Sequence, residues 1–284
     1  MFERIAVLGL GLLGGSVALA ARRAGVATTI AGATRNPAVL AGALENGVID
    51  EVGTFEDVVA GADFVVLSTT VAAMPEVLRR AAPNLMDGAI VTDVGSVKGP
   101  LVETLPGLLP PRAAFVGSHP MAGSHETGLE AARGDLFEDA PCVVTDAADA
   151  AAVERVVAFW EALGSRVLRR SPASHDDEVA WVSHVPHVVA WAFAEAFAGA
   201  PAAAREVAGG GFRDFTRIAR SSPELWGDIL TANRKSISAP LEAVGETLAD
   251  LARAIESNDV EKVRDLIASA RGTLAAEAPS DRKH

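Results

Sequence analysis

A glycine-rich turn near the start of the chain constrains the fold more than any other feature. An apolar run at residues 5–8 leads into Gly9, Gly11 and Gly14, followed by small residues up to Gly25. In this spacing the first glycine makes a tight turn, the second lets a ligand approach the backbone, and the third lets a helix pack on the strand. The helix start then holds a phosphate through its unpaired N–H groups and positive dipole end. The residues expected at a dinucleotide are Gly9, Gly11, Leu12, Leu13 and Gly14; the alternative is a glycine-rich strand-helix junction in some other α/β fold.

Short apolar segments alternate with helical segments through the first 170 residues. Continuous apolar runs such as residues 63–70 are typical of strands buried on both faces of a parallel sheet. The alternation predicts a doubly wound sheet with its ligand at the carboxyl ends of the strands. The predicted strands are 5–8, 28–32, 63–70, 89–93 and 113–117, with further strands at 142–145 and 166–168; the predicted helices include 55–61, 74–82 and 151–163.

The rest of the chain is predicted to be helical. The segment RRSPA at residues 169–173 breaks the alternation, and no convincing strand follows it. The fold class is therefore α/β, an N-terminal doubly wound, Rossmann-like parallel sheet followed by an all-α C-terminal domain, with domains at 1–170 and 171–284. The predicted helices of the second domain are 174–198, 202–208, 223–236, 241–257 and 260–276.

Composition excludes several classes of protein. The formal net charge is −12, with no run of Lys and Arg to neutralise phosphates, so nucleic acid is not an expected partner. The uncharged stretch 5–21 is rich in small residues and short for a membrane span, which favours a buried strand and helix. A single cysteine, Cys142, fits a reducing compartment. We expect a cytoplasmic protein with no targeting segment and no membrane contact.

The turn after the second strand bears on the choice of cofactor. NAD-binding folds place an acid there, about twenty residues past the last glycine, on the ribose 2′-hydroxyl. This chain has Thr34 and Arg35 instead, and a hydroxyl and a guanidinium suit a 2′-phosphate. The sequence favours NADP, with NAD as the other option; alternatively, Arg35 stacks on the adenine or faces solvent. We also place Ser68 and Thr69, at the end of the third strand, at the cofactor.

Two polar loops follow the fourth and fifth strands. His119 lies after the fifth strand between glycines, and a neutral imidazole there can take a hydroxyl proton as hydride leaves. A structural role for this histidine is the alternative. Ser96, after the fourth strand, is placed to orient His119 or a substrate hydroxyl. Lys98 is available to neutralise a phosphate or to cap a helix.

The helical domain carries two further candidate groups. Ser183 and His187 are four residues apart and share a helix face, beside Pro186, which frees backbone carbonyls. Two histidines three apart, with no carboxylate or cysteine at ligand spacing, argue against a metal site. After three glycines, Arg213, Arg217 and Arg220 recur at helical spacing, and one of them could bind a carboxylate through two parallel hydrogen bonds. A solvated basic helix face is the alternative.

Taken together, five motifs resemble the prephenate/arogenate dehydrogenase family. They are GLGLLGGS at 9–16, DVGSVKGP at 93–100, GSHPMAGS at 117–124, VSHVPH at 182–187 and GGGFRDFTRIA at 209–219. The resemblance runs over nearly the whole chain. It implies NAD- or NADP-dependent oxidative decarboxylation of prephenate to 4-hydroxyphenylpyruvate, or of arogenate to tyrosine. It also implies a homodimer formed through the helical domain. If tyrosine inhibits the enzyme, we expect it to do so by competition at the active site.

The resemblance also implies roles for individual residues. His119 would accept the proton of the ring hydroxyl, and Ser96 would bind that hydroxyl and hold His119. Arg217 would bind the ring carboxylate, with His187 and Ser183 near the side-chain end of the substrate. The further pocket positions are Arg213, Trp226 and Ser124. Many members of the family carry Thr-Glu where this chain has Ser124-His125, which alters the local charge of the pocket.

Two rival functions remain open at this point. Another two-domain hydroxyacid-type dehydrogenase would need a catalytic lysine on the second domain, where this chain offers arginines too basic to exchange protons. A non-catalytic NAD(P)-binding dimer would bind cofactor without turnover and would be indifferent to replacement of His119.

Overall fold

The computed structural model describes residues 1–123 and 126–277, and its N-terminal part is built on a parallel sheet. The strands of this sheet are β1 (Phe2–Leu8), β2 (Ala27–Ala33), β3 (Glu51–Val52), β4 (Phe64–Leu67), β5 (Ile90–Asp93) and β6 (Ala114–Val116). They lie in the order β3-β2-β1-β4-β5-β6, and every pairing is parallel. The predicted sheet is confirmed. The two-residue edge strand β3 was missed because it is exposed and has no apolar run.

Helices cover both faces of this sheet. They are α1 (Leu12–Ala24), α2 (Pro37–Glu45), α3 (Phe55–Val58), α4 (Met74–Ala81), α5 (Gly99–Thr104) and α6 (Ala150–Ala162). Successive side chains of β1 enter different cores: Ile5 and Val7 pack with residues of α1 and α6, whereas Ala6 and Leu8 pack with α3 and α4. Burial of both faces explains why the strands are apolar throughout rather than alternating.

A second, three-stranded sheet follows and corrects one prediction. Its strands are β7 (Ser118–Pro120), β8 (Pro141–Thr145) and β9 (Arg166–Arg170); β7 is antiparallel to β8, and β8 is parallel to β9. The predicted strands at 142–145 and 166–168 therefore exist, but they belong to this separate sheet. His119 lies on β7 rather than in a loop. Gly117 joins β6 to β7, and a Cβ there would lie 2.8 Å from the Thr145 hydroxyl.

The described chain after residue 170 contains helices and no strand, as predicted. The helices are α7 (Pro172–Val179), α8 (Val185–Phe197), α9 (Gly210–Arg217), α10 (Pro223–Ala232), α11 (Arg234–Glu256) and α12 (Val260–Glu277). The single helix predicted at 174–198 was wrong in one respect. A π-helical turn, Ala180–His184, separates α7 from α8 immediately before Pro186. The helix predicted at 202–208 is only a short 3₁₀ turn, Ala202–Arg205.

The chain forms two compact units, Met1–Arg234 and Lys235–His284. The second unit contains α12 and nearly all of α11. Several apolar side chains of these helices are more than half exposed: Leu248, Ile255, Ile267 and Leu274. Among the described helices, none is both long and apolar enough to cross a bilayer.

Replacing Gly14 tests the contact between α1 and the glycine turn. Gly14→Ala should lower the free energy of unfolding by about 1–3 kcal/mol, because the new Cβ would overlap the Gly9 carbonyl oxygen. Denaturant unfolding measures this change. Gly42→Ala in α2 is the matched control: its Cβ enters open space, so stability should rise by up to about 1 kcal/mol. A Gly14→Ala protein as stable as the wild type would contradict the proposed contact.

Candidate active site

The glycine turn at the end of β1 has the geometry that its spacing predicts. Gly9 has a φ of +112°, and a Cβ on it would overlap the carbonyl of Ser68 at the end of β4. A Cβ on Gly14 would in turn overlap the Gly9 carbonyl oxygen. The first and third glycines are therefore required by the close approach of α1 to the ends of β1 and β4.

The middle glycine leaves room for a ligand. Gly11 precedes α1 in extended conformation, and a Cβ on it would meet no atom within 4 Å. The first turn of α1 carries no acidic side chain, and no side chain caps its N–H groups. Those N–H groups have no partner within the helix and point toward the turn. An open cradle at a helix N-terminus fits the pyrophosphate of a dinucleotide.

One cavity of about 570 Å³ extends from this turn to the helical segment. Its wall includes polar groups from the ends of β4, β5 and β7 and from the π turn, α8, α9 and α10. The sequence-predicted residues that line it are Gly11, Leu12, Leu13, Ser68, Thr69, Ser96, His119, Ser183, His187, Arg217 and Trp226. Residues of the wall that the sequence did not indicate include Thr70, Val71, Ser221, Ser222, Leu225 and Ile229.

Some predicted residues lie elsewhere. Arg213 is exposed, is absent from the cavity wall, and donates to the Ala208 carbonyl at 3.0 Å, so its place in the pocket stays a prediction. Both arginines belong to α9, and of the two only Arg217, at the end of the helix, is part of the cavity wall. Thr34 and Arg35 follow β2, outside the cavity wall. Ser124 lies outside the described residues.

His119 is a buried side chain of the cavity wall, with 8% of its surface exposed. Its Nδ1 lies 2.8 Å from Nε2 of His175, which leaves Nε2 of His119 for the cavity. Burial, reinforced by His175, Lys98 and His184, holds the pKa of His119 well below its usual value of 6.5. The imidazole is therefore neutral at pH 7, as a base must be.

The partner of His119 differs from the predicted one. We expected Ser96 to hold His119, and the structure gives that place to His175 of α7. Ser96 lines the same cavity after β5 and remains available to a substrate hydroxyl. His175 is fully buried, and its Nδ1 donates to Oδ1 of Asp176 at 2.8 Å. No sequence signal links His175 to a histidine 56 positions earlier.

The carboxylate of Asp176, a residue of α7, caps the N-terminus of α5. Its Oδ1 accepts from the backbone N–H of Lys98 at 2.7 Å, and its Oδ2 accepts from that of Gly99 at 2.8 Å. A carboxylate at a helix N-terminus satisfies unpaired donors and favours the positive end of the dipole. Asp176 therefore joins α7 to the loop that carries Ser96.

Lys98 is enclosed beneath His119 and does not face the cavity. Its ammonium is fully buried, pairs with the Asp93 carboxylate, and donates to the Ser118 carbonyl at 2.8 Å. Burial lowers its pKa, and Asp93 opposes that shift. The suggestion that Lys98 neutralises a phosphate was wrong, because a fully buried group with these partners cannot reach a ligand in the cavity.

The helical wall of the cavity combines an aromatic surface with a cation. His187 stacks on Trp226 with ring centroids 3.8 Å apart, and its Nδ1 donates to the Ser183 carbonyl at 2.8 Å. Burial lowers the pKa of His187, as does the neighbouring Arg217, against the contribution of the Ser183 carbonyl. A stacked pair beside a guanidinium suits a flat ring that carries a carboxylate.

His184, by contrast, is a structural histidine in the described fold. It is buried, and its Nδ1 lies 3.0 Å from Nδ2 of Asn233, which also donates to the Asp176 carbonyl at 2.8 Å. Burial lowers its pKa to about 4. The π turn places His184 on the buried side of the helix while Ser183 and His187 line the cavity.

Family comparisons cover nearly the whole chain. Residues 17–169 match the sequence model described as prephenate dehydrogenase, nucleotide-binding domain. Residues 171–269 match the one described as prephenate dehydrogenase, dimerization domain. The chain is 35% identical over 269 residues to a cyclohexadienyl dehydrogenase of Zymomonas mobilis, covering 91% of this chain and 90% of that protein.

Solved structures resemble the whole fold. A prephenate dehydrogenase from Aquifex aeolicus, crystallised with hydroxyphenyl propionate and NAD+, superposes with a TM-score of 0.89 at 33% identity, covering 97% of this chain and 98% of that one. An arogenate dehydrogenase from Synechocystis gives a TM-score of 0.81 at 31% identity, covering 97% of this chain and 100% of that one.

Proposed function

The chain belongs to the prephenate dehydrogenase family, and we propose that His119 is the base of its reaction, in the cavity between the glycine turn and the helical wall. The enzyme is an NAD(P)-dependent oxidoreductase that decarboxylates prephenate or arogenate oxidatively. The observation that carries the proposal is the position of His119: a buried, neutral imidazole on the wall of the cavity that the glycine turn opens into.

The reaction requires a base, an orienting cation and a nicotinamide. The glycine turn and the start of α1 would hold the nicotinamide cofactor, which would supply the acceptor for hydride from the ring carbon that carries the hydroxyl. Nε2 of His119 takes the hydroxyl proton, and Ser96 hydrogen-bonds the same oxygen. Loss of carbon dioxide makes the ring aromatic, and His119 returns its proton to the ring oxygen. The base is regenerated, so no proton is taken up or released overall and no metal is needed.

Substrate orientation falls to the helical wall. Arg217 binds the ring carboxylate with its guanidinium, and the stacked His187 and Trp226 pack against the ring system. Ser183 and His187 lie toward the side-chain end, where prephenate carries a keto group and arogenate an ammonium group. Tyrosine shares that side chain with arogenate, and we expect it to compete at the same site.

We propose NADP as the preferred cofactor. The first glycine of the turn donates its N–H to the carbonyl of Ala33 at 2.8 Å, which sets the end of β2 beside the turn. Thr34 and Arg35 follow Ala33 directly, and neither is the acidic residue that would bind the ribose 2′-hydroxyl of NAD. The Arg35 side chain is exposed, so it is available to a 2′-phosphate.

The domain division and the assembly complete the proposal. The two family matches meet between residues 169 and 171, which supports domains at 1–170 and 171–284. This proposed boundary differs from the division between the two compact units, which falls after Arg234. The dimerization-domain match and the exposed apolar residues of α11 and α12 support a homodimer formed through the helical part. A single buried thiol, Cys142, suits the reducing cytoplasm.

Replacing the base tests the reaction directly. His119→Asn should lower kcat by about 10²–10⁴-fold while the cofactor dissociation constant stays unchanged, because the base is lost and the glycine turn is intact. Reduced-nicotinamide absorbance measures this with prephenate and arogenate, each against NAD and NADP. Wild-type kcat should keep its full value at pH 6.5, because the lowered pKa of His119 leaves the imidazole neutral there. Near-normal turnover in His119→Asn would exclude it as the base.

Replacing Arg217 tests the carboxylate contact. Arg217→Ala should reduce kcat/KM for prephenate by two or more powers of ten, a loss of about 3 kcal/mol for a charge-assisted hydrogen bond. Arg220→Ala is the matched control: it lies one helical turn further along, is exposed, and is absent from the cavity wall. Equal effects of the two replacements would rule out a specific role for Arg217.

Replacing Arg35 tests the cofactor preference. Arg35→Ala should raise KM for NADP by about 10–100-fold and leave KM for NAD nearly unchanged, because only NADP carries the 2′-phosphate. Arg112→Ala, which removes an exposed arginine paired with Asp87, is the control. If KM changes equally for both cofactors, or for neither, the preference does not depend on Arg35.

A further inference from the structure

Two buried side chains, His175 and Asp176, continue a series of hydrogen bonds that starts at His119. Nδ1 of His119 lies 2.8 Å from Nε2 of His175, and Nδ1 of His175 lies 2.8 Å from Oδ1 of Asp176. His175 is fully buried and Asp176 is 6% exposed. Neither residue lines the cavity, so neither can contact substrate directly.

The partners determine which nitrogens carry protons. A carboxylate oxygen only accepts, so Nδ1 of His175 is the donor to Asp176. In a neutral His175 the other nitrogen, Nε2, is then an acceptor, and Nδ1 of His119 must donate to it. That arrangement leaves Nε2 of His119 unprotonated on the cavity side.

We propose that His175 and Asp176 are positioning residues for the reaction, which hold His119 in the tautomer whose Nε2 accepts the substrate proton. The proposal rests on His119 being the base. When Nε2 takes the hydroxyl proton, Nδ1–H of the imidazolium stays directed at His175, and the carboxylate of Asp176 stabilises the charge through it. The proton stays on Nε2 and returns from there to the ring oxygen.

Asp176, the last residue of this hydrogen-bonded series, is held in place by backbone and side-chain groups of neighbouring elements. Both carboxylate oxygens of Asp176 accept backbone N–H groups at the start of α5, and its carbonyl accepts from Nδ2 of Asn233 at 2.8 Å. These bonds restrict both the side chain and the backbone of Asp176. A rigid acceptor orients His175, which in turn orients His119.

Other charged and titratable groups surround this hydrogen-bonded series. Lys98 and Asp93 form a buried ion pair beneath His119, His184 lies on the π turn, and Cys142 lies on the neighbouring strand β8. Lys98 and His184 oppose a positive charge on His119. Asp176 is therefore the anion linked to His119 through hydrogen bonds, and it offsets this opposition when the base is protonated.

Three replacements test whether His175 and Asp176 position His119 for the reaction or only stabilise the fold. His175→Leu removes the acceptor and should lower kcat by about 100-fold, with KM for substrate and cofactor within about twofold. His175→Gln supplies an amide oxygen to Nδ1–H of His119 and should restore kcat to within about tenfold of wild type. Asp176→Asn should lower kcat by about tenfold. Asp177→Asn, an exposed neighbour on the same helix, is the matched control and should behave as wild type.

Nitrogen NMR of the histidines reads the tautomer without turnover. The His119 signals are identified by their loss in His119→Asn. In the wild type, Nε2 of His119 should have the shift of an unprotonated nitrogen and Nδ1 that of a protonated one. His175→Gln should keep this pattern, and His175→Leu should lose it. Thermal unfolding of each variant shows whether it is folded.

The outcomes distinguish the two proposals. If His119→Asn retains turnover, the base assignment itself fails. If His119→Asn abolishes turnover while His175→Leu leaves kcat and the His119 tautomer unchanged, only the positioning role fails. A wild-type spectrum with Nε2 of His119 protonated would overturn the positioning role even if His175→Leu does not fold.

Discussion

The site depends on one interaction, the buried ion pair between the Asp93 carboxylate and the Lys98 ammonium. The carboxylate lies at the end of β5 and accepts the backbone N–H of Ser118 at 3.0 Å. An unpaired charge in this place would be strongly destabilising, so the pair specifies one arrangement of the segments that carry it. Those segments are the end of the first sheet, the loop before α5 and the first residue of β7. His119 is the next residue, and its position follows.

The sequence allowed prediction of features determined by local physics. Gly9 and Gly14 could be assigned because a turn and a close helix contact leave no space for a Cβ. The strands of the parallel sheet could be assigned because burial on both faces makes them apolar throughout, as residues 64–67 show. Ser183 and His187 could be placed on one face because four residues span about one helical turn.

The errors at the site concern contacts made over long sequence separations. His119 was assigned to a loop because a three-residue strand, β7, has no periodicity, and its pairing with β8 depends on a segment more than twenty residues later. His175 was missed because its role depends on a partner 56 positions away. Lys98 was predicted as a possible phosphate ligand because a lysine in a polar loop usually reaches solvent. Its burial arises only when Asp93 and Ser118, which lie on different strands, both contact its ammonium.

The intervening His175 has an electrostatic consequence. A carboxylate in direct contact with His119 would favour the imidazolium and raise the pKa of the base. It would also bring a negative charge toward a substrate whose own carboxylates must be bound. His175 places one imidazole between the carboxylate of Asp176 and the base, so the anion acts through hydrogen bonds and at greater distance. The base therefore stays neutral before the reaction and still has an anion linked to it when it carries the proton.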